Sequence, residues 1–157
     1  MAIRSDAEGS TASSIDLSHE ILIRWAHTED AALPFVGDGI PSAVVQGRID
    51  DARIAIAELA GRPVGALQLE YLWGTRPYVA IIRVIPACQR RGVGRALLEF
   101  VASSLRDAGH RELWSSAQAN EPEPQAWHRR MGFTESGVLR GINDGGVDEV
   151  FFRKWLA

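Results

Sequence analysis

The chain lacks several features that mark common classes of protein. Cys88 is its only cysteine, which excludes an internal disulfide and a cysteine-based zinc site. No apolar run approaches the roughly 18 to 20 residues that a membrane helix needs. The N-terminal segment also has no apolar stretch of the kind that defines a secretory signal. We therefore expect a cytoplasmic protein with no membrane partner.

Basic residues are also slightly fewer than acidic ones. Lys and Arg together number 17 against 20 Asp and Glu, which gives a formal net charge of −3, and Lys154 is the only lysine. Nucleic-acid-binding domains usually carry a net basic face, so this balance argues against nucleic acid as a partner. The rest of the composition, 46% hydrophobic and 24% charged over 157 residues, fits one globular domain.

Hydrophobic periodicity predicts a single α/β domain. Residues 1–19 are rich in Ser, Ala, Asp and Gly, and we expect them to form a disordered leader before a domain at 20–157. Three successive strands, ending in Tyr78 to Ile85, predict an antiparallel meander. The predicted strands are 21–25, 53–59, 64–71, 78–85, 111–117, 133–138 and 147–153. Helices on the faces of this sheet complete the expected fold.

Four helical segments are predicted from start and stop signals. Thr28 is expected to cap a short helix that Pro34 ends, and Pro41 to open a second helix. That second helix is predicted to carry its apolar side chains on one side, namely Val44, Val45 and Ile49.

The two later helices have clearer patterns. One carries Leu97, Val101 and Leu105 at four-residue steps and ends near Gly109. Because it joins the strand before it to the one at 111–117, those two strands should be parallel neighbours with a right-handed crossover. The other runs from Pro122 to a terminal Gly132.

The loop after the strand at 78–85 is the most informative segment. It reads Val-Ile-Pro-Ala-Cys-Gln-Arg-Arg-Gly-Val-Gly-Arg from residue 84 to residue 95. Gly92 and Gly94 let an anion approach the first amide groups of the following helix, which have no intrahelical acceptor. Three guanidinium groups of the loop suit phosphate oxygens, those of Arg90, Arg91 and Arg95. The loop therefore predicts a pyrophosphate cradle.

Two other phosphate-binding loops do not fit these residues. A nucleoside-triphosphate loop would need Gly-Lys-Ser/Thr after its glycine frame, and a dinucleotide fingerprint would need a small residue where Leu97 stands. A plain strand–turn–helix, with glycines for the turn and solvated arginines, remains an alternative at this point.

Two segments resemble the GNAT superfamily of N-acetyltransferases. Gln89-Arg-Arg-Gly92-Val-Gly94, after a strand that ends in Val84-Ile85-Pro86, matches its acyl-CoA-binding segment. The strand Glu112–Ala117, then Asn120, then a helix ending in Gly132-Phe133 match its next segments in order and spacing. The resemblance runs from about residue 21 to the C-terminus. It implies a mostly antiparallel mixed sheet with a parallel, splayed central strand pair and helices on both faces.

The resemblance also implies the activity and its co-substrate. An acetyl group would pass from acetyl-CoA directly to a primary amine of a small molecule or protein, with no covalent enzyme intermediate and no metal. The alternatives are an acyl-CoA-binding sensor or interaction module that has lost transfer, and a protein that binds adenosine phosphates. Neither the acceptor nor the oligomeric state follows from the sequence, and a homodimer is compatible with it.

In this family's pattern the main chain holds most of the CoA. The resemblance implies that the amides from Arg91 to Arg95 bind the pyrophosphate, with the Gln89 side chain and those of the loop arginines in support. For Arg90 a solvated side chain is an equal alternative. The implied amide segment comprises Arg91, Gly92, Val93, Gly94 and Arg95.

Two further contacts to the co-substrate are implied. The amide of Val84 or Ile85 would donate to the oxyanion of the tetrahedral intermediate, and Asn120 would hydrogen-bond the pantetheine arm. A turn or cap residue is the alternative for Asn120.

Proton transfer is where the chain departs from the family's pattern. Many members carry a tyrosine four residues before the glycine of Gly-Phe, where it protonates the departing thiolate, and this chain has His128 there. A neutral imidazole can also donate, so His128 is the expected acid, with a helix-face histidine as the alternative. Glu70 is the candidate base for the incoming ammonium; its alternatives are a solvated strand residue and an ordered water chain. Cys88 is read as incidental.

Aromatic side chains are expected mostly in the core. Trp73 and Tyr78 flank a turn and are candidates to line an acceptor pocket. The expectation covers Trp25, Trp73, Tyr78, Trp114 and Trp127.

Overall fold

A seven-stranded mixed sheet organises the part of the chain that the computed structural model describes, residues 20–157. The predicted leader, residues 1–19, lies outside the described residues. The strands are β1 (Leu22–Trp25), β2 (Ile54–Leu59), β3 (Arg62–Leu72), β4 (Arg76–Val84), β5 (Glu112–Gln118), β6 (Thr134–Leu139) and β7 (Glu149–Trp155). Their order is β1-β2-β3-β4-β5-β7-β6. The predicted parallel pairing of β4 with β5 is confirmed, and β1–β2, β2–β3, β5–β7 and β6–β7 are antiparallel.

Four α-helices accompany the sheet in residues 20–157. They are α1 (Pro34–Gly37), α2 (Ser42–Asp50), α3 (Val93–Asp107) and α4 (Pro122–Arg130). Short 3-10 helices lie at Thr28–Ala32, Pro86–Cys88 and Asp144–Gly146. As predicted, glycines with left-handed φ angles follow α3 and α4, Gly109 at 90° and Gly132 at 86°. None of the helices between residues 20 and 157 is long and apolar enough to cross a membrane.

The first helical segment differs from its prediction in two ways. The 3-10 helix Thr28–Ala32 is capped by His27, not Thr28, and the Asp30 carboxylate accepts the His27 amide at 2.7 Å. Asp30 is therefore the side chain that fixes this end. Pro34, expected to end a helix, opens α1 instead, because proline lacks only an amide that the first turn leaves unbonded anyway.

The described residues fall into two compact units, and the first comprises 20–68 and 82–101. Apolar side chains of α1, α2, β2 and β3 form its core. They are Phe35, Val36, Val45, Ile49, Ile54, Ile56 and Ala66. Pro41 is the N-cap of α2 and not its first residue, and Val44, expected beside Val45, is 40% exposed. Val44 is one residue from Val45, which is about 100° around a helix and enough to turn it away from the core.

The second unit comprises 69–81 and 102–157. The turn between β3 and β4 is Trp73-Gly74, with φ angles of 50° and 74°, which is two residues before the predicted turn at 75–77. Within residues 20–157 the β4–β5 ladder consists of Tyr78 opposite Trp114 and Val79 opposite Ser115. β5 continues beyond it and pairs with β7 up to Gln118.

The tryptophans are not core residues, contrary to the expectation. Trp73 and Trp155 are 85% and 61% exposed. The other three, Trp25, Trp114 and Trp127, are half-buried. An indole is large and carries a polar N–H group, so a tryptophan is rarely buried completely.

Candidate active site

The loop before α3 presents main-chain amides at the start of a long helix. The Ala96 amide donates to the Gly92 carbonyl at 2.9 Å, which makes Gly92 the N-cap of α3. Val93, Gly94 and Arg95 are then the first three helical residues, whose amides have no acceptor within a helix. The helix runs for 15 residues, so the positive end of its dipole reinforces these amides. This geometry suits an anion.

The backbone of this loop depends on Gly92. Its φ angle is 84°, in the left-handed region, and a Cβ there would meet no atom within 4 Å. The space in front of Gly92 is therefore open. Arg90 also has a left-handed φ, 60°, which is uncommon away from glycine and costs energy. The Arg90, Arg91 and Arg95 side chains are all exposed.

Gln89 and Cys88 support the loop from the protein side. The Gln89 side-chain amide donates to the Val84 carbonyl at 3.0 Å, which ties the loop to the end of β4. Its predicted contact to CoA stays a prediction. Cys88 is fully buried, and this burial raises the pKa of its thiol, so it lacks the exposed thiolate that a nucleophile needs.

The two candidate oxyanion donors differ in their hydrogen bonds. The Ile85 amide donates to the Val64 carbonyl of β3 at 2.9 Å. Successive amides of a strand point to opposite edges, so the Val84 amide points away from β3. Of the two predicted donors, Val84 is the one whose direction suits a ligand on the far edge of β4.

His128 lies fully buried against β5 and β7. Its ring stacks on Phe152, with centroids 4.7 Å apart and an angle of 11° between the planes. Nδ1 is 2.6 Å from the Pro124 carbonyl and Nε2 is 2.8 Å from the Ser115 hydroxyl. A carbonyl only accepts, so Nδ1 carries the proton and Nε2 accepts from Ser115. Burial lowers the pKa of His128 from 6.5 to about 4, so the imidazole is neutral at neutral pH.

These contacts bear directly on the predicted acid. The one ring proton of His128 is donated to Pro124, within the same helix, and Nε2 holds no proton in this tautomer. Donation from Nε2 would first require the ring to change tautomer and the Ser115 hydroxyl to turn. The acid role of His128 stays a prediction.

The two remaining predicted residues, Asn120 and Glu70, differ in exposure and in the elements that carry them. Asn120 is exposed, in a turn closed by the Glu121 amide and the Gln118 carbonyl at 3.1 Å. The N-cap of α4 is Glu121, so Asn120 is not the cap. Glu70 is half-buried in β3. Their roles toward CoA and the amine stay predictions.

A hydrogen-bonded chain that sequence reasoning missed lies on the other face of β5. The Tyr78 hydroxyl is 2.6 Å from the Ser116 hydroxyl, and Ser116 donates to Glu149 Oε1 at 2.5 Å. The Asn143 side-chain amide donates to Glu149 Oε2 at 2.8 Å. Ser116 is fully buried and Glu149 is 8% exposed. We call Tyr78, Ser116, Glu149 and Asn143 the Tyr78 chain.

Glu149, at one end of the Tyr78 chain, carries a negative charge. Burial would raise the pKa of Glu149, but hydrogen bonds from Ser116 and Asn143 favour the carboxylate, and the pKa lies below its ordinary value. Burial, together with the nearby Glu149 charge, raises the pKa of Tyr78, so its hydroxyl is neutral. A signal for this chain was present in the alternation of β7, which puts Glu149 on the same face as the aromatic Phe151.

Comparison with known proteins decides the family. Residues 22–133 match the acetyltransferase (GNAT) family. The chain belongs to the GNAT family. The resemblance drawn from the glycine loop and the Gly-Phe helix is thereby confirmed, and so is the mixed α/β fold expected from it.

Two relatives show how far the sequence similarity extends. Aminoglycoside N(6')-acetyltransferase type 1 of Stenotrophomonas maltophilia is 36% identical over 98 residues, which are 60% of this chain and 64% of that protein. The ribosomal protein bS18-alanine N-acetyltransferase of Escherichia coli K12 is 35% identical over 72 residues, 44% of this chain and 49% of that enzyme. The matched segments thus span about half to two-thirds of these relatives.

A solved structure shows the fold in a protein that holds acetyl-CoA. This acetyltransferase-like protein of Salmonella typhimurium, solved with acetyl-CoA as its cofactor, is 16% identical. It superimposes with a TM-score of 0.72 over 88% of this chain and 95% of its own length. At that identity the likeness concerns the fold.

Proposed function

We propose that the protein transfers an acetyl group from acetyl-CoA to a primary amine of a small molecule or protein, by direct attack in a ternary complex. The observation that carries the proposal is the start of α3, where three helix-initial amides follow an open, left-handed Gly92. Family membership supports it, and so do the relatives named as N-acetyltransferases.

The charge of the loop and the direction of its first helical amides support a contact with the diphosphate of CoA. Amides of Val93, Gly94 and Arg95 would donate to its oxygens, and the exposed Arg91 and Arg95 guanidinium groups would neutralise part of its charge. Gln89 would act through the loop it ties down. We assign the oxyanion contact to the Val84 amide, a donor of the kind typically worth about 3 kcal/mol in the transition state.

The proposed acid and base remain the ones expected from the sequence. Glu70 would accept the ammonium proton, directly or through water, and Asn120 would hydrogen-bond the pantetheine arm. His128 would protonate the thiolate after a change of tautomer. We expect His128→Phe to lower turnover while CoA affinity stays within a few-fold; unchanged turnover would remove His128 from the mechanism.

A second candidate function is an acyl-CoA-binding module without transfer. The observation in its favour is the neutral, fully hydrogen-bonded His128 at the position where many family members carry a tyrosine acid. Both functions require the same cradle, so CoA binding alone does not separate them.

One experiment separates these functions. Free thiol released from acetyl-CoA is followed with a panel of primary amines, and calorimetry measures binding of acetyl-CoA, ATP and NAD to the same protein. Amine-dependent thiol release supports the transferase. Tight binding of acetyl-CoA with no release on any amine supports the module, and equal binding of ATP or NAD would overturn both.

A further inference from the structure

Gly65 lies in the interior of β3, where a glycine weakens a strand and often marks a close approach of another backbone. A Cβ atom on Gly65 would lie 2.8 Å from the Arg83 carbonyl oxygen and 3.3 Å from Val84 Cα, both main-chain atoms of β4. It would also lie 3.2 Å from Cγ2 of the Val84 side chain. A carbon atom normally lies about 3.3–3.6 Å from a carbonyl oxygen, so this approach of β4 requires glycine.

The Arg83 carbonyl belongs to the peptide group whose amide is the proposed oxyanion donor. In a trans peptide group the carbonyl and the N–H point in opposite directions. The Arg83 oxygen lies against Gly65 of β3, so the Val84 N–H points away from β3. The next peptide group, which holds the Val84 carbonyl, is bound from the loop by the Gln89 side chain at 3.0 Å. These four residues lie in the first compact unit, together with the glycine loop.

The two strands differ in how they are held at this point. β3 pairs on its other side with β2, where Gly65 lies opposite Ala57. In residues 20–157 the β4–β5 ladder extends no further than Val79, well before Val84. A side chain at position 65 would therefore displace the end of β4 more than it displaces β3.

We propose that Gly65 is a positioning residue for acetyl transfer: because it has no side chain, the Arg83–Val84 peptide group lies where the Val84 amide can donate to the oxyanion. The inference rests on the proposed acetyl transfer and on the assignment of the oxyanion contact to Val84. Gly65 acts in this role only through the neighbouring peptide group. Displacement of the donor affects the transition state more than the bound co-substrate, since the charge on the thioester oxygen develops only there.

The test is Gly65→Ala in the full chain. An ordinary contact with the added methyl group would displace the peptide group by about 0.5 Å or more. Since a misplacement of about 1 Å can cost about 10²-fold in rate, we expect a fall of about tenfold or more. The rate is that of acetyl transfer in a single turnover, with enzyme in excess over acetyl-CoA. The Kd for CoA, measured by calorimetry, should stay within about twofold, since the α3 amides are untouched.

Gly37→Ala is the matched control. A Cβ atom on Gly37 would lie 2.7 Å from the Ala31 carbonyl oxygen. The same methyl group therefore meets the same kind of atom in the same compact unit, but on α1 and not on β4. Urea unfolding should show a loss of stability in both variants. The transfer rate of Gly37→Ala should stay within about twofold of the wild-type rate.

A double variant keeps the test decisive if Gly65→Ala folds poorly. Val84→Ala removes the methyl carbon at 3.2 Å and keeps the contact with the Arg83 oxygen, so the double variant Gly65→Ala/Val84→Ala should fold better than Gly65→Ala. Its transfer rate should still lie about tenfold or more below that of Val84→Ala alone. If the double variant does not fold either, Gly65 serves the fold and not the position of one amide, and the inference is overturned.

Failure of the inference is distinguishable from failure of the proposed function. If the wild-type chain releases thiol with an amine and Gly65→Ala transfers at the wild-type rate, this inference is wrong and acetyl transfer stands. Parallel losses of transfer rate and CoA affinity, or an equal loss of rate in Gly37→Ala, would indicate a general structural defect and also overturn the inference. If the wild-type chain releases no thiol with any amine, the proposed function is overturned together with it. A fall in rate confined to the variants that carry Gly65→Ala supports the inference.

Discussion

Replacing Gly92 by aspartate should move CoA binding and helix stability in opposite directions. Gly92 is the N-cap of α3 and has a φ angle of 84°, with open space where a Cβ would lie. Asparagine and aspartate are the non-glycine residues that best tolerate such an angle, and they have the same shape. Gly92→Asn is therefore the matched control, and the two variants differ by one negative charge.

The magnitudes follow from that charge. A carboxylate at the start of a helix stabilises it by roughly 0.3–1 kcal/mol, so Gly92→Asp should unfold at the same or higher urea concentration than Gly92→Asn. A diphosphate bound on the same amides carries about two negative charges. At a separation of about 6 Å the aspartate would repel it by about 1.4 kcal/mol in bulk water and by about 5.5 kcal/mol at an effective dielectric of 20. We take about 2 kcal/mol for this exposed loop, a roughly 30-fold loss of CoA affinity relative to Gly92→Asn.

Calorimetry of CoA binding and urea unfolding of the same preparations measure the two effects. Gly61→Asp is a second control, since Gly61 has a φ angle of 73° and equally open space but lies in the β2–β3 hairpin. It should leave CoA affinity unchanged. Equal CoA affinities of Gly92→Asp and Gly92→Asn at low salt would refute the placement of the diphosphate at this helix end.

Three other predictions concern buried groups. The pKa of His128 is about 4 in the folded protein, below its ordinary value of 6.5. Its contribution to the free energy of unfolding is therefore complete above about pH 6.5 and falls by about 3 kcal/mol as the pH drops to 4. Urea unfolding at several pH values should show that this pH dependence is lost in His128→Phe but kept in His27→Gln. Asp30 accepts two hydrogen bonds from Arg24, at 2.7 and 3.0 Å, which lower the pKa of Asp30. Asp30→Asn should therefore lower the free energy of unfolding by about 1–3 kcal/mol at pH 7, and by less at a pH below the folded pKa of Asp30. An unchanged midpoint of urea unfolding would contradict this. Cys88 is fully buried, and an aromatic disulfide reagent should label it at the rate of unfolding; fast labelling of the native protein would contradict its burial.

The sequence predicted the order and type of the main elements because each had its own periodicity. Leu97, Val101 and Leu105 are all buried, and α3 ends just before Gly109 as expected. The predicted helix boundaries were wrong where one residue type is compatible with two positions relative to a helix. Pro34 ends a helix or begins one according to its neighbours. Thr28 lies inside its 3-10 helix because the N-cap is His27, one residue earlier.

Only the part of the candidate active site that main-chain amides form could be predicted from the sequence. The start of α3 can be read from glycine spacing because helix-initial amides exist whatever the side chains are. The Tyr78 chain could not be read in this way, since it joins residues 38 and 33 positions apart. Only the pairing register of β5 with β4 and β7 brings Ser116 between Tyr78 and Glu149, and that register is a tertiary property.

Two consecutive serines of β5, Ser115 and Ser116, bind partners on opposite faces of the strand. Strand alternation sends Ser115 to one face and Ser116 to the other, and both are fully buried, so each hydroxyl needs a partner. His128 supplies one partner and fits flat against Phe152, and Glu149 supplies the other. His128 is therefore held by Ser115 on one side and by the Phe152 ring on the other. The ionised Glu149 and the Tyr78 hydroxyl lie on the opposite face of β5, joined through Ser116.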